Sequence, residues 1–115
     1  MNSSDHDNPI YIDVRAVHSL MAVESDFLLL DCRERAEHQT VRIDGATLIP
    51  MGELQQRAGE LEEFRQKRII VYCHHGGRSL MVTQWLREQG FARAQNMTGG
   101  IDAWALEIDT SLPRY

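Results

Sequence analysis

The feature that most constrains the fold of this chain is a strand-like run that passes through two glycines into a helix-like run. Residues 68–72 are almost entirely apolar and lead directly into Cys73. Gly76 and Gly77 follow, and residues 79–89 then carry apolar side chains at helical spacing. A buried strand, a short glycine loop and a helix in this order are typical of α/β proteins with a parallel sheet. The sequence therefore predicts that Cys73 stands where a sheet strand ends and a helix follows.

The rest of the chain alternates between strand-like and helix-like segments in the same way. Strands are predicted at residues 9–12, 27–31, 47–49, 68–72 and 94–97. Helices are predicted at residues 14–21, 34–38, 52–64, 79–89 and 101–106, with Gly90 ending the fourth of them. The predicted fold class is α/β: a single domain with a mostly parallel sheet of about five strands and helices on both faces. We expect residues 1–8 to form a disordered leader and residues 9–115 to form the domain.

The composition favours a soluble protein and excludes several classes of partner. Asp and Glu number 17 against 12 Lys and Arg, and the formal charge of −5 argues against nucleic acid or an anionic membrane as the main partner. The apolar runs, such as residues 27–30, are too short to span a bilayer, and the polar N-terminus lacks the pattern of a secretion signal. We therefore expect a cytoplasmic protein that is a monomer or a weak dimer.

Cys73 has the surroundings that make a cysteine nucleophilic. A helix that begins just after it directs backbone N–H groups and the positive end of the helix dipole towards the sulfur. Gly76 and Gly77 allow the loop to curl its N–H groups inward. These groups favour the thiolate, which is the reactive form of cysteine. Ligands of parallel sheets bind at the carboxyl ends of strands, which is where Cys73 is predicted to lie.

The second cysteine, Cys32, follows the apolar segment 27–31 and is interpreted as a packing residue. Two cysteines make no disulfide framework, and they lack the paired spacing of a zinc site. Both cysteines follow predicted strands, so the alternative is that Cys32 is a resolving thiol that forms a disulfide with Cys73 under oxidation.

The polar residues near Cys73 have alternative interpretations. His74 and His75 are interpreted as residues that line the loop, since consecutive side chains diverge and cannot easily complete a tetrahedral metal site. Arg78 could bind an oxyanion through its guanidinium or could pair with a carboxylate and brace the loop, and both roles stay open. Arg33 is interpreted as a residue of the pocket rim, with an ion pair to Glu37 as its alternative.

The segment Cys73–Arg78 resembles the active-site loop of rhodanese-like sulfurtransferases, in which four residues separate the cysteine from the arginine. Three further segments, in the order expected for that family, are similar to its other motifs. They are Asp31–Glu34 with Glu37, Ile43–Ala46 followed by Ile49–Pro50, and Gly99–Trp104. The resemblance extends over most of the chain, from about Ile12 onward, and it points to the single-domain members of the family.

The resemblance implies a sulfurtransferase in which the Cys73 thiolate attacks the outer sulfur of a donor such as thiosulfate and becomes a persulfide. Cyanide in an assay, or a thiol or protein in the cell, would then take that sulfur, which implies ping-pong kinetics. The loop residues that would bind the donor are His74, His75, Gly76, Gly77, Arg78 and Ser79. No metal ion or organic cofactor is implied.

Two other functions compete with sulfur transfer. The Asp31-Cys32-Arg33 pattern also resembles dual-specificity phosphatases of the same fold, and an arsenate reductase is a related possibility. Those phosphatases have five residues between cysteine and arginine, whereas Arg78 already occupies the fifth position here, so the smaller ring suits a single sulfur better. The other competitor is a sulfur carrier or protein-binding module. Binding modules of this shape usually lack the nucleophile, so the presence of Cys73 argues against a binding module. The carrier role stays open: a cysteine desulfurase could load Cys73, which would then pass the sulfur to a biosynthetic acceptor.

Overall fold

The computed structural model of the protein describes residues 9–23 and 26–115, which form a five-stranded sheet flanked by helices. The strands are β1 (Tyr11–Ile12), β2 (Leu28–Asp31), β3 (Thr47–Leu48), β4 (Ile69–Tyr72) and β5 (Ala94–Met97). Their order across the sheet is β1-β5-β4-β2-β3, and all four neighbouring pairs are parallel. The predicted α/β class and its five-stranded parallel sheet are confirmed. The leader predicted at residues 1–8 lies outside the described residues.

The helices agree with the predicted positions except for one segment. They are α1 (Val14–Val23), α2 (Arg35–Thr40), α3 (Leu54–Arg57), α4 (Gly77–Glu88) and α5 (Gly100–Glu107). The continuous helix predicted at residues 52–64 is wrong, because only α3 is α-helical and 3-10 turns flank it at Met51–Glu53 and Ala58–Phe64. Glycine at positions 52 and 59 is a poor helix former, which weakens a continuous helix over this segment.

The central strand β4 connects two apolar layers. All four of its residues are fully buried between β5 and β2, which explains why its sequence is apolar without alternation. Ile69 and Val71 share one core cluster with Val82 and Leu86 of α4. Ile70 and Tyr72 belong to the opposite cluster, which contains residues of α1 and α5. Within the described part of the chain, none of the helices is long and apolar enough to cross a bilayer.

Candidate active site

Cys73 follows the last residue of β4 and faces the start of α4. Gly76 caps this helix with a left-handed backbone, at φ +113°, a conformation that side-chain-bearing residues rarely adopt. The Sγ atom of Cys73 accepts hydrogen bonds from the amide of Gly76 at 3.1 Å and from the amide of Ser79 at 3.4 Å. The hydroxyl of Ser79 also lies 3.4 Å from Sγ. The loop therefore places its donors around one sulfur atom, as the glycine spacing predicted.

The fold shifts the pKa values of the two cysteine thiols in opposite directions. Burial raises the pKa of the Cys73 thiol, but hydrogen bonds from the Ser79 hydroxyl and from backbone amides outweigh it and bring the pKa below its usual value. Burial also raises the pKa of Cys32, and there the nearby charge of Cys73 raises it further. Both side chains are almost inaccessible, at 1% exposure each. Cys73 is therefore the more acidic of the two thiols.

Asn96, which the sequence analysis did not identify, completes the inner side of the loop. It lies on β5 and accepts a hydrogen bond from the Ser79 hydroxyl. Its Nδ2 atom donates to the carbonyl of Gly76 at 3.2 Å. The Ser79 hydroxyl has a single proton, which it can donate to Asn96 or to Cys73 but not to both. The sequence signal for Asn96 was a polar residue within a predicted strand, and the structure shows that this strand is fully buried.

Backbone amides at the amino end of α5 donate hydrogen bonds to the carbonyl groups of the same loop. The amide of Ile101 donates to the carbonyl of Cys73 at 2.9 Å, and the amide of Asp102 donates to the carbonyl of His74 at 3.1 Å. Gly100 has a left-handed backbone at φ +61°, and a Cβ atom there would lie 2.4 Å from the His74 carbonyl oxygen. Gly100, the first residue of α5, therefore allows the helix to approach the loop closely.

Arg78 is paired with a carboxylate of α2. Its two terminal nitrogens donate to Glu37 at 2.7 and 2.9 Å. This contact with Arg78 is the largest influence on Glu37 and lowers the pKa of its carboxyl to about 2. Of the two roles left open for Arg78, the structure contains the contact that bracing requires.

Arg33 does not lie on the pocket rim, and it does not pair with Glu37. Its side chain is fully buried and donates to both carboxylate oxygens of Asp31, at 2.9 and 2.7 Å. It also donates to the carbonyl of Val41 at 2.6 Å and to the hydroxyl of Tyr115 at 2.9 Å. A buried charge must be paired, and Asp31, fully buried at the end of β2, supplies the partner. The sequence position alone did not reveal this burial.

The two histidines of the loop form an aromatic stack. The ring of His74 lies 3.9 Å from that of Tyr115 with an interplanar angle of 8°, and 3.9 Å from that of His75 at 31°. His75 is exposed, and its Nδ1 atom lies 3.9 Å from a carboxylate oxygen of Asp102. No grouping of three metal-ligating side chains occurs within residues 9–23 and 26–115.

Known proteins similar to this chain share both its sequence pattern and its fold. The family model named rhodanese-like domain matches residues 13–107. A sulfurtransferase of Allochromatium vinosum is 35% identical over 94 residues, which cover 82% of this chain and 86% of that protein. YrkF of Bacillus subtilis, named as a proposed sulfur carrier protein, is 33% identical over 93 residues, covering 81% of this chain and 49% of that protein.

The solved structures include close matches in fold. The human single-domain sulfurtransferase TSTD1 superposes with a TM-score of 0.75 and 25% identity, over 87% of this chain and 98% of that one. The coverage of longer relatives is partial, since this chain spans 36% and 49% of the length of two of the curated relatives it matches.

Proposed function

Because this chain belongs to the rhodanese-like domain family, we propose that it is a sulfurtransferase in which Cys73 carries the transferred sulfur as a persulfide. The observation that supports this role is the group of donors around Sγ: the amides of Gly76 and Ser79 and the hydroxyl of Ser79. They stabilise negative charge at the end of β4, in the manner of an oxyanion hole. In this structure the stabilised charge is that of the Cys73 thiolate, the species that attacks the donor and leaves again when the sulfur is passed on.

The proposed reaction consists of two displacements. In the first, the Cys73 thiolate attacks the outer sulfur of thiosulfate, the bond between the two donor sulfurs breaks, and sulfite leaves with the bonding electrons. In the second, cyanide or a thiolate attacks the outer sulfur of the persulfide, and Cys73 leaves as a thiolate. The thiolate is thus regenerated without an external oxidant or reductant. The covalent intermediate predicts ping-pong kinetics.

The enclosure of Cys73 favours a small donor. The side chain is 1% exposed, whereas His75 and Gly77 of the same loop are exposed. A compact anion can approach a recessed sulfur more readily than a bulky one, and for this reason we propose thiosulfate or a small persulfide as the donor. Cys73 must stay reduced between turnovers, which suits a cytoplasmic location.

A sulfur-carrier role is the second proposal, and the similarity to YrkF favours it. In that role the same Cys73 persulfide would be loaded by a protein donor and delivered to a protein acceptor. Both roles need the same nucleophile, so they differ in the partner and not in the chemistry at Sγ.

The test is the intact mass of the protein after incubation with thiosulfate. We expect the mass of one added sulfur atom, mapped to the peptide of Cys73 and lost on addition of cyanide with formation of thiocyanate. The Cys73→Ser variant should fold normally and gain no sulfur, while Cys32→Ser serves as the matched control and should still gain it. Turnover of an aryl phosphate without thiocyanate formation would instead support the phosphatase alternative and overturn the proposal.

A further inference from the structure

The segment Pro113–Tyr115 lies against the loop that carries Cys73. The Tyr115 ring is stacked almost parallel on His74, the residue that follows the nucleophile, with ring centroids 3.9 Å apart. Arg114 pairs with Asp102 of α5, whose amide binds the carbonyl of His74. The Tyr115 ring therefore holds this segment against the loop, and Arg114 holds it against α5.

The hydroxyl of Tyr115 joins two charged groups beside the loop. It accepts a hydrogen bond from Arg33 at 2.9 Å and donates one to the Oε2 atom of Glu37 at 2.6 Å. The same Oε2 atom accepts from Arg78 at 2.9 Å. The Tyr115 hydroxyl therefore uses its one proton and one lone pair to connect a buried arginine to the carboxylate that holds Arg78.

The family model does not include this contact. The match to the rhodanese-like domain ends at residue 107, whereas Tyr115 lies eight residues later. None of the motifs in the sequence includes Tyr115. Its contact with the loop is thus a feature of this chain that family membership does not assign.

We propose that Tyr115 is a positioning residue for the Cys73 loop, holding His74 by ring stacking and Arg78 through Glu37. The proposal rests on the proposed sulfur-transfer function and adds a residue outside the family motifs to its machinery. Tyr115 acts through its neighbours, since its ring contacts His74 and its hydroxyl binds Arg33 and Glu37.

Loss of the Tyr115 contacts should lower the fraction of molecules in which the Cys73 loop is ordered. Without the Tyr115 hydroxyl, Arg33 loses an acceptor and Glu37 loses a donor, so the link between α2 and the loop weakens. A donor that binds only the ordered loop then has an apparent affinity reduced by the fraction of ordered molecules. Once the donor is bound the loop is in place, so kcat should change little while KM rises.

Two variants separate the contributions of the ring and the hydroxyl. Tyr115→Phe keeps the stack on His74 and removes only the hydroxyl, while Tyr115→Ala removes both. The matched control is Tyr11→Phe, which removes the hydroxyl of an exposed tyrosine on the edge strand β1. We expect Tyr115→Phe to raise the KM for thiosulfate by about tenfold, the effect of one hydrogen bond to a charged group. Tyr115→Ala should raise it further, and Tyr11→Phe should leave it unchanged.

A second measurement does not depend on sulfur transfer. The pH dependence of Cys73 alkylation by iodoacetamide, followed by mass mapping of its peptide, reports the pH at which half of the thiol is ionised. A loosened loop withdraws amide donors from the thiolate, so both Tyr115 variants should have midpoints at higher pH than the wild type.

The outcomes distinguish the two proposals. If both variants keep the wild-type KM and alkylation midpoint, or lose only thermal stability, Tyr115 does not position the loop and this inference is overturned. If the wild type gains no sulfur, the proposed function fails, and the alkylation midpoints alone decide whether Tyr115 orders the loop.

Discussion

Arg78 and Glu37 form a two-point ion pair that joins the helix after Cys73 to the helix after β2. Their atoms are 2.7 and 2.9 Å apart, and the side chains are 34% and 20% exposed. Planar, two-point pairing fixes the direction of a guanidinium as well as its distance. The pair therefore limits how far the start of α4 can move from α2, and it gives Arg78 a role in holding the loop.

The first prediction separates bracing from substrate binding by Arg78. If Arg78 only braces the loop, Glu37→Gln and Arg78→Ala break the same interaction, and the double variant should be no worse than either one. Each should then cost about 1–2 kcal/mol of unfolding free energy in urea, between the values for exposed and buried pairs. Loss of the brace raises the KM for thiosulfate in both variants, so if Arg78 also binds the donor, Arg78→Ala should raise the KM more than Glu37→Gln does. We expect both effects.

Lys in place of Arg78 is the control for charge. An ammonium keeps the positive charge but cannot form the two-point contact with Glu37. Wild-type stability and KM in Arg78→Lys would show that the geometry of the pair is irrelevant and would contradict the prediction.

The Ser79 hydroxyl should lower the pKa of Cys73 when its single proton turns from Asn96 to the sulfur. It lies 3.4 Å from Sγ and is the largest of the influences that lower the pKa of the thiol. Ser79→Ala removes it but keeps the Ser79 amide, so the pKa should rise and the midpoint of Cys73 alkylation should move to higher pH. Thr83→Ala is a suitable control, because Thr83 is a buried hydroxyl residue of the same helix that binds the carbonyl of Ser79. An unchanged midpoint in Ser79→Ala would show that the hydroxyl does not lower the pKa of the Cys73 thiol.

The strand ends and the cysteine loop were predictable because their signals are local. An apolar run such as Ile69–Tyr72 must be buried wherever it lies. The two glycines predicted a special backbone in the loop, and of the two only Gly76 has a left-handed φ, whereas Gly77 begins α4. The interactions of Arg33 were not predictable in the same way. Its burial depends on Asp31, Val41 and Tyr115 converging on one guanidinium, and no pattern in the sequence encodes that convergence.

The helix predicted at residues 52–64 failed for a related reason. Its apolar spacing was real, since Leu54 and Leu61 both lie in the core, but their burial does not require a continuous α-helix. Alternation of 3-10 and α-helical turns places the same side chains against the sheet. Periodicity therefore identified which residues face the core, and local backbone propensity decided the shape of the segment.

Gly100 should tolerate no side chain. A Cβ atom there would lie 2.4 Å from the carbonyl oxygen of His74 and 2.5 Å from that of Cys73, and φ is +61°. Gly100→Ala should therefore displace the loop, reduce sulfur transfer strongly and cost about 2 kcal/mol of unfolding free energy or more. Gly59→Ala is the matched control, because nothing lies within 4 Å of its Cβ position and its φ is not left-handed. Normal activity in Gly100→Ala would mean that sulfur transfer does not require the close approach of α5 to the Cys73 loop.

Cys32 and Cys73 should form a disulfide under mild peroxide. Asp31 pairs with Tyr72 in register, the next residues are the two cysteines, and both side chains lie in the same core cluster. Adjacent strands are about 4.8 Å apart, which is within the Cα separation that disulfides require. Both cysteines thus directly follow residues that are paired across β2 and β4 and share one core cluster, which is the placement that the resolving-thiol hypothesis needs.

The oxidation should begin at Cys73, whose hydrogen bonds lower its pKa, while burial keeps Cys32 protonated. Peroxide converts the Cys73 thiolate to a sulfenic acid, and the Cys32 thiol then displaces water to close the disulfide. Non-reducing peptide mapping should recover the linked peptides, and thiol reductants should restore sulfur transfer. Cys32→Ser should instead progress to an irreversibly oxidised Cys73, because no neighbouring thiol can intercept the sulfenic acid. Recovery of reduced Cys32 beside unlinked Cys73 after the same treatment would leave Cys32 as a packing residue alone.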